Sequence, residues 1–304
     1  MKFQSFAQIE EYVLSSGIQK RIVLANAHDA HSLPALIDAR RKGIAEGILI
    51  GHADRILALL SGEGEKAENY EIIDCREDAE CARLAISLVK EGKADLPMKG
   101  LMQTSDFMRA VLNKETGLLP KGGMISQVTL VEKGDNAGFL YITDCAINIS
   151  PDLTAKKKIV ENVVKVAGLL GVEEPKVAAL SALEGPNPKI PSTMDAQALQ
   201  EAWEAGEITG CRIGGPLALD NAVSPEAAAH KGVEGPVRGD ADILLVPDLA
   251  CGNILTKSLI FFAGAVSCGL VTGTEKPVIM TSRTDTPENK YRGILVSLLS
   301  TIKA

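Results

Sequence analysis

The sequence predicts an α/β fold built on largely parallel sheets. Short apolar segments of strand length alternate with helical segments along most of the chain, the pattern that specifies βαβ units. Hydrophobic residues make up 46% of the 304 residues but aromatic residues only 4%, a profile typical of aliphatic strands covered by helices. A chain of this length allows two domains, or one large unit with a cleft.

Nine segments have the length and composition of buried strands. They are residues 21–25, 47–50, 71–73, 96–99, 126–131, 139–143, 176–181, 243–246 and 278–281. The clearest helix between them spans residues 153–170, where Ser150 is the expected cap and Gly171 the expected end. A second clear helix spans residues 194–205. The glycine-rich segment 118–124 joins two strongly patterned halves and is the predicted hinge.

Composition excludes several classes of function. A net charge of −7 argues against nucleic-acid binding, and the lysine run at residues 156–158 is interpreted as the solvated face of a helix. The six cysteines lack metal-ligand or disulfide-framework spacing, which fits a reducing compartment. Residues 1–10 include polar and acidic residues where a signal peptide would have a cationic start and an apolar core, so no signal peptide is expected. No apolar run is long enough to span a bilayer. We therefore expect a cytoplasmic protein with no nucleic-acid or membrane partner.

The most informative segment is the tail, residues 277–289. A short apolar strand ends at Ser282 and Arg283, Asp285 follows, and Thr286 with Pro287 has the form of a helix start. Ligands in open α/β sheets bind beyond the carboxyl ends of strands, and a guanidinium binds phosphate through two parallel hydrogen bonds. The tail predicts an anion site; the alternative is that Arg283 forms only a surface salt bridge.

Two other strands are followed by polar residues. Lys99 ends one strand, and Thr104 lies at a helix start, where free amides favour an anion. The alternative is an ordinary helix cap at Thr104 and a surface lysine. Asp144 and Asn148 follow another strand, where an acid and an amide four residues apart can orient a ligand or tie down a turn.

A third polar group opens an apolar helix near residue 250. Asp248, Gly252 and Asn253 follow a strand, and Lys257 is expected in the first helical turn. The glycine and the asparagine would let backbone approach a phosphate. No dinucleotide-binding or Walker motif is present. Since no histidine is placed to activate Ser282, this serine is interpreted as a hydrogen-bond donor and not as a nucleophile.

Four motifs in this order resemble those of the phosphate acetyl/butyryltransferase family. They are Lys99 to Thr104, Asp144 to Asn148, Asp248 to Asn253, and Lys276 to Arg283. The similarity runs nearly end to end. The tail is similar to the phosphate butyryltransferase branch, because acetyl-specific members usually have a glycine directly after the Ser-Arg pair.

The resemblance implies a two-domain fold similar to isocitrate and isopropylmalate dehydrogenases, with the active site in the interdomain cleft. One domain would comprise residues 1–124 and 270–304, and the other residues 125–269. It implies reversible transfer of a short acyl group, with butyryl favoured over acetyl, between coenzyme A and inorganic phosphate. No metal or prosthetic group is then needed, and a homodimer or larger homo-oligomer is expected.

The resemblance also implies roles for the polar residues. Arg283 would bind phosphate and Ser282 the oxyanion or the thiol. Acetyl-specific relatives use an aspartate seven residues after the serine, where this chain has Asn289. Asp285, Glu288 and Asp144 are therefore alternative bases, or Arg283 stabilises the thiolate alone. Lys99, Thr104, Asn148, Asp248, Gly252, Asn253 and Lys257 are the expected substrate-binding residues.

Two rival functions are weighed against this one. A metal- and NAD(P)-dependent dehydrogenase of the same fold would need clustered aspartates, and Asp74 with Asp78 is the only pair four residues apart. A non-catalytic module that binds acyl-CoA or phosphate is the other.

Overall fold

The computed structural model describes residues 1–303. Within that range the strands are β1 Lys20–Ala25, β2 Ala45–Gly51, β3 Glu71–Asp74, β4 Leu96–Lys99, β5 Ser126–Glu132, β6 Phe139–Thr143, β7 Lys176–Leu180, β8 Arg212–Leu217, β9 Ile243–Leu245 and β10 Ser267–Thr272. The α-helices are α1 Phe6–Ser15, α2 Ser32–Arg41, α3 Ala53–Gly62, α4 Asp78–Lys90, α5 Thr104–Val111, α6 Leu153–Leu169, α7 Pro191–Glu204, α8 Leu219–Val223, α9 Pro225–His230, α10 Leu249–Ala263 and α11 Pro287–Ile302.

The chain divides into two compact units. The first unit contains Phe6–Gly123 and the C-terminal segment from Cys268, and the second contains Met1–Ser5 and Met124–Ser267. The predicted division placed residues 1–5 in the other domain. They group with the second unit because Phe3 N donates to Leu170 O at 3.0 Å. Gly171 allows this contact, since it has a φ of +85° and a Cβ there would collide with the Met1 and Lys2 backbone.

The sheet of the first unit is parallel, in the order β3-β2-β1-β4. Its central strand β1 is fully buried from Ile22 to Ala25, as expected for a strand covered on both faces. The predicted strand 278–281 is reduced to isolated bridges, of which the one at Ile279 pairs with Met98 of β4. Lys99 N donates to Ile279 O, and Ile279 N donates to Pro97 O, both at 2.9 Å. This pairing brings the C-terminal tail to the carboxyl end of β4.

The sheet of the second unit places its strands in the order β5-β6-β9-β7-β8. β5 and β6 are antiparallel, and the other pairs are parallel. Ile142, Ala178 and Leu244 form part of its buried core. The chain leaves β7 toward β8 but leaves β9 in the opposite direction, so the carboxyl ends of β7 and β9 form a topological switch point.

The other predicted strands are confirmed, whereas β8 and β10 were not predicted. β8 contains Gly214, Gly215 and Pro216, residues that weaken a strand signal. The cap of α6 is Asp152, which accepts from Ala155 N, so the expected Ser150 cap was wrong. The predicted helix 194–205 begins three residues earlier, at Pro191. No helix within residues 1–303 is long and apolar enough to cross a membrane.

Candidate active site

The loop after the bridged segment of the first unit carries the strongest predicted site. Ser282 and Arg283 are exposed, and α11 begins four residues later. Thr286 caps α11 as predicted, accepting from Asn289 N at 3.3 Å. The loop is closed by Asp285, whose Oδ2 accepts from Ser282 N at 2.7 Å. This carboxylate therefore fixes the backbone that presents Ser282 and Arg283.

The Arg283 side chain forms no hydrogen bond or ion pair with the part of the chain that the structure describes. The alternative of a surface salt bridge is therefore wrong for residues 1–303. Ser282 Oγ lies 3.0 Å from Thr284 Oγ1 and accepts from Thr284 N at 3.3 Å. The guanidinium is free to bind an anion, and the serine hydroxyl is held in a polar loop.

Lys99 is buried at the carboxyl end of β4, with 1% of its surface exposed. The alternative of a snorkelling surface lysine is therefore wrong. Its ammonium donates to Gly100 O at 3.2 Å and to Met102 O at 3.3 Å. These partners use two of its three N–H donors. Burial and the neighbouring charge of Lys290 lower the pKa of Lys99 to about 8.

A second buried lysine, which was not predicted from the sequence, lies beside the same loop. Lys290, in the second turn of α11, is also 1% exposed. Its Nζ donates to Thr281 Oγ1 at 3.0 Å and to Ser282 O at 2.9 Å. One signal was available in the sequence. Lys290 shares a helical stripe with Ile294 and Leu298, so it lies on the buried face of α11.

Two carboxylates accompany these cations. Burial lowers the pKa of Lys290, while the charges of Asp29 and Asp285 act to raise it. Asp29 accepts from His31 N, and His31 Nδ1 lies 3.0 Å from Asp285 O. Three cations, Lys99, Lys290 and Arg283, thus share the region with two acids. The surplus positive charge suits an anionic ligand.

Thr104 is the first residue of α5 and is exposed. The cap position is Gln103, which makes no side-chain capping bond, so an N-cap at Thr104 was wrong.

In the second unit, the Asp144 carboxylate ties down a turn. It is 2% exposed, and it accepts from Ala146 N and Ile147 N on one oxygen and from Asn148 on the other. Asn148 Nδ2 also donates to Ile125 O at 3.0 Å, which anchors the turn to the preceding strand region.

The start of α10 is built around the same turn. Asp248 is the N-cap and accepts from Cys251 N at 2.9 Å. A Cβ on Gly252 would lie 2.8 Å from Asp144 O, so this glycine lets the helix approach the turn closely. Asn253 follows and is partly exposed, and its carbonyl accepts from Thr256 Oγ1. Lys257 is exposed in the third turn of α10; the expectation of the first turn was wrong because α10 begins at Leu249.

A cavity of about 570 Å³ opens at the switch point between β7 and β9. Lys156, which was predicted to be solvated, lies in the wall of this cavity and is only 5% exposed. Its Nζ forms an ion pair with Asp195 Oδ2 at 2.6 Å. Ser181 and Ser192 face each other there with their hydroxyls 2.7 Å apart. Its apolar wall includes Pro151, Leu180, Leu219, Val246, Pro247 and Leu255. The solvated-face interpretation was thus wrong for Lys156, because the packing of α7 covers it.

The predicted site residues fall into two groups, one in each unit. Ser282, Arg283, Asp285 and Lys99 share one charged region in the first unit. Asp144, Asn148 and Gly252 meet in the second unit, and Asp248 lines the cavity beside them. Asn253 and Lys257 are not among the residues that line that cavity.

The aspartate pair of the rival metalloenzyme hypothesis has other partners. Asp74 accepts from Ala53 N at 3.0 Å, and Asp78 accepts from Asn26 Nδ2 at 2.5 Å. Within residues 1–303 no group of three or more His, Cys, Asp or Glu side chains is placed to hold a metal ion.

Comparison with known proteins assigns the chain to a family. Residues 79–297 match the family model described as phosphate acetyl/butaryl transferase. A phosphate butyryltransferase from Clostridium acetobutylicum is 43% identical over 97% of this chain and 98% of its own length. The crystal structure of a branched-chain phosphotransacylase from Enterococcus faecalis V583 superposes with a TM-score of 0.81 at 33% identity, covering 92% of this chain and 98% of that one.

A more distant similarity bears on the fold alone. A proposed 4-hydroxythreonine-4-phosphate dehydrogenase from Salmonella typhimurium gives a TM-score of 0.53 at 12% identity, over 92% of this chain and 99% of that one. The predicted likeness to dehydrogenase folds is confirmed at this level. The family match and the relatives of high coverage together decide the assignment: the chain belongs to the phosphate acetyl/butaryl transferase family.

Proposed function

We propose that this protein is an acyltransferase that moves a short acyl group reversibly between coenzyme A and inorganic phosphate. The observation that carries the proposal is the unpaired Arg283 guanidinium beside two buried ammonium groups, at the carboxyl end of β4. The names of the relatives support the same reaction class.

Phosphate binds, in this proposal, to Arg283 and to the unused N–H donor of Lys99. The guanidinium offers two parallel donors, and a charged lysine adds a point charge with a third. The burial of Lys99 strengthens its interaction with phosphate, because screening by water is reduced there. Thr104, exposed at the first position of α5, is a further proposed contact.

The acyl group transfers directly between two bound substrates. A phosphate oxygen attacks the thioester carbonyl and forms the C–O bond, the carbonyl oxygen becomes an oxyanion, and the C–S bond then breaks to release the thiolate. Ser282 and the loop amides stabilise the oxyanion. Holding both substrates together removes an entropic barrier of about 7–11 kcal/mol in favourable cases. No covalent intermediate with the protein is required.

No carboxylate base is needed in the direction of acyl phosphate formation. The phosphate dianion is itself the nucleophile, and the leaving thiolate is stabilised by neighbouring cations. The proton that the phosphate carried passes from the new acyl phosphate, the stronger acid, to the thiolate or to solvent. Asn289, which donates no titratable proton, accepts from Arg292 instead. We propose that Asp285 and Asp144 are positioning residues and not bases. Asp285 accepts a hydrogen bond from Ser282 N, and Asp144 accepts hydrogen bonds from the backbone of its own turn.

The cavity of the second unit is proposed to bind an uncharged segment of coenzyme A. Lys156 lines this cavity, and its positive charge is neutralised by Asp195. Asp248 adds a negative charge to the lining. A phosphate group is therefore disfavoured in it, whereas amide or amine donors suit Asp195 and the two serines. Competition by pantetheine or by adenosine against butyryl-CoA would identify the segment.

The expected homo-oligomer has one candidate surface. On helix α10 the side chains of Ile254, Phe261 and Phe262 are 66%, 67% and 91% exposed. Large exposed apolar side chains of this kind favour burial against another protein surface. Light scattering of the protein and of Phe262→Asp would test this surface. A monomeric wild-type protein would contradict the proposal.

Butyryl is the proposed acyl group, on the strength of the butyryltransferase relative. Thiol release with phosphate should be measured with straight-chain thioesters from acetyl to hexanoyl. A maximum at butyryl is expected, although one methylene is worth only about 1–3 kcal/mol. Binding of coenzyme A without any acyl phosphate would favour the non-catalytic module, and reduction of a nicotinamide in the presence of magnesium would favour the dehydrogenase.

A further inference from the structure

The peptide unit between Ser282 and Arg283 lies in an asymmetric environment. Its carbonyl oxygen accepts from Lys290 Nζ at 2.9 Å and from Asp285 N at 3.2 Å. Its amide, Arg283 N–H, donates to no group within residues 1–303. One end of the peptide is therefore bound by a buried cation, and the other end is an unpaired donor beside the predicted oxyanion residue.

Hydrogen bonds in a chain polarise one another. A carbonyl oxygen that accepts from an ammonium group draws electron density along the peptide and makes the N–H of that peptide a stronger donor. The effect is largest where the ammonium is shielded from water, as Lys290 is with 1% exposure.

We infer that Lys290 is a positioning residue that orients and polarises the Ser282–Arg283 peptide, so that Arg283 N–H donates to the oxyanion of the transition state. The inference rests on the proposed acyl transfer. It assigns the backbone of Arg283 to the oxyanion, while the guanidinium of the same residue remains assigned to phosphate.

Fold stability alone does not explain this lysine. Lys290 donates to Thr281 Oγ1 and Ser282 O and lies near Asp29 and Asp285, yet burial still lowers its pKa, so the charged form carries a cost of burial. A methionine at this position would continue the apolar stripe of Ile294 and Leu298 at a smaller cost. Retention of an ammonium fits a role in setting the charge distribution of the loop.

The test compares Lys290→Met, which removes the charge at similar volume, with Lys290→Arg, which keeps it. Because the oxyanion exists only in the transition state, we expect kcat for Lys290→Met to fall about 30-fold or more while KM for phosphate changes less than about threefold. Lys290→Arg should recover most of kcat. Thr281→Val, which removes the hydroxyl partner and leaves the Ser282 contact, should keep kcat within about threefold.

A purely structural role would lower the melting temperature of the variants and leave kcat of the folded protein unchanged. A kcat for Lys290→Met within threefold of wild type overturns the inference. If that variant does not fold, Lys290→Gln, which keeps an N–H donor without the charge, decides the same question: at least a tenfold lower kcat supports the inference, and an unchanged kcat overturns it. Wild-type protein that forms no acyl phosphate would instead refute the proposed function.

Discussion

The tail loop of the first unit and the turn after β6 in the second unit have the same form in the sequence, a strand followed by acidic and amide or hydroxyl groups. The structure uses them differently. Asp144 accepts hydrogen bonds from the backbone and side chain of its own turn. Arg283 finds no partner within residues 1–303. Polar residues after a strand can thus form a structural turn, as at Asp144, or the ligand site proposed at Arg283. What distinguishes the two is whether the polar side chain already has hydrogen-bond partners within the protein.

The largest expected effect is a loss of folding stability when the Asp144 carboxylate is removed from the turn after β6. Asp144→Ala leaves four hydrogen bonds to a buried carboxylate unmade. An unpaired buried donor costs about 1–3 kcal/mol, but these four donors are only partly buried and each costs near or below the low end of that range. We therefore expect the free energy of unfolding to fall by about 3–5 kcal/mol in urea titrations. Asp54→Ala, at an exposed helix start, is the control and should change it by less than about 0.5 kcal/mol. Full stability with lost turnover would mean that Asp144 takes part in the chemistry.

In the tail loop, where the Arg283 side chain has no partner within residues 1–303, a substitution should lower turnover and leave stability largely unchanged. Arg283→Ala is expected to lower turnover at least about a hundredfold, near 3 kcal/mol, with little loss of stability. Thiol release from butyryl-CoA in the presence of phosphate measures it. Arg238→Ala, an exposed arginine in the second unit, is the matched control and should behave as wild type. Near-normal activity of Arg283→Ala would refute the assignment of this loop.

Phosphate affinity should depend on pH through Lys99. Its pKa of about 8 means that the ammonium is charged below that pH and neutral above it. An anion binds the charged form, so the dissociation constant of phosphate should rise above pH 8, by up to about tenfold per unit. Calorimetric titration measures this rise. Lys99→Met should bind more weakly and lack the pH dependence; a wild-type affinity that is constant from pH 7 to 9.5 would contradict the proposed contact.

The helix caps should give the smallest effects, and similar ones in both units. Thr286 caps α11 and Asp248 caps α10. Replacing either with alanine is expected to cost about 1 kcal/mol of unfolding free energy, seen as a melting temperature a few degrees lower. Thr286→Ser, which keeps the hydroxyl, should lose little. Unchanged melting temperatures in both alanine variants would show that these bonds do not stabilise the helices.

Local residue patterns predicted most of the strands and the exposed part of the candidate site. Ser282 and Arg283 were found because a polar pair directly after an apolar strand is visible in the sequence. The strands β8 and β10 were not predicted. In β8, glycine and proline weaken the strand pattern of the sequence, and the strand is stabilised by its pairing with β7.

The buried lysines show where prediction from sequence fails. Lys156 and Lys290 both lie on helices, where a lysine is usually solvated. Lys156 is buried against α7 through Asp195, 39 residues away, and Lys290 contacts a loop that precedes its own helix. The helical stripe that Lys290 shares with Ile294 and Leu298 indicates which way it faces. Spacing does not reveal which distant groups pack over a lysine and accept its hydrogen bonds.

The sequence by itself determined the α/β class, most of the strands and the position of the proposed anion-binding loop, because these follow from local periodicity and from which residue types end a strand. Only the tertiary structure decided which charges are buried, which acids are saturated and where the cavity opens. The physical reason is that pKa, hydrogen-bond partners and solvent exposure depend on groups brought together from distant parts of the chain.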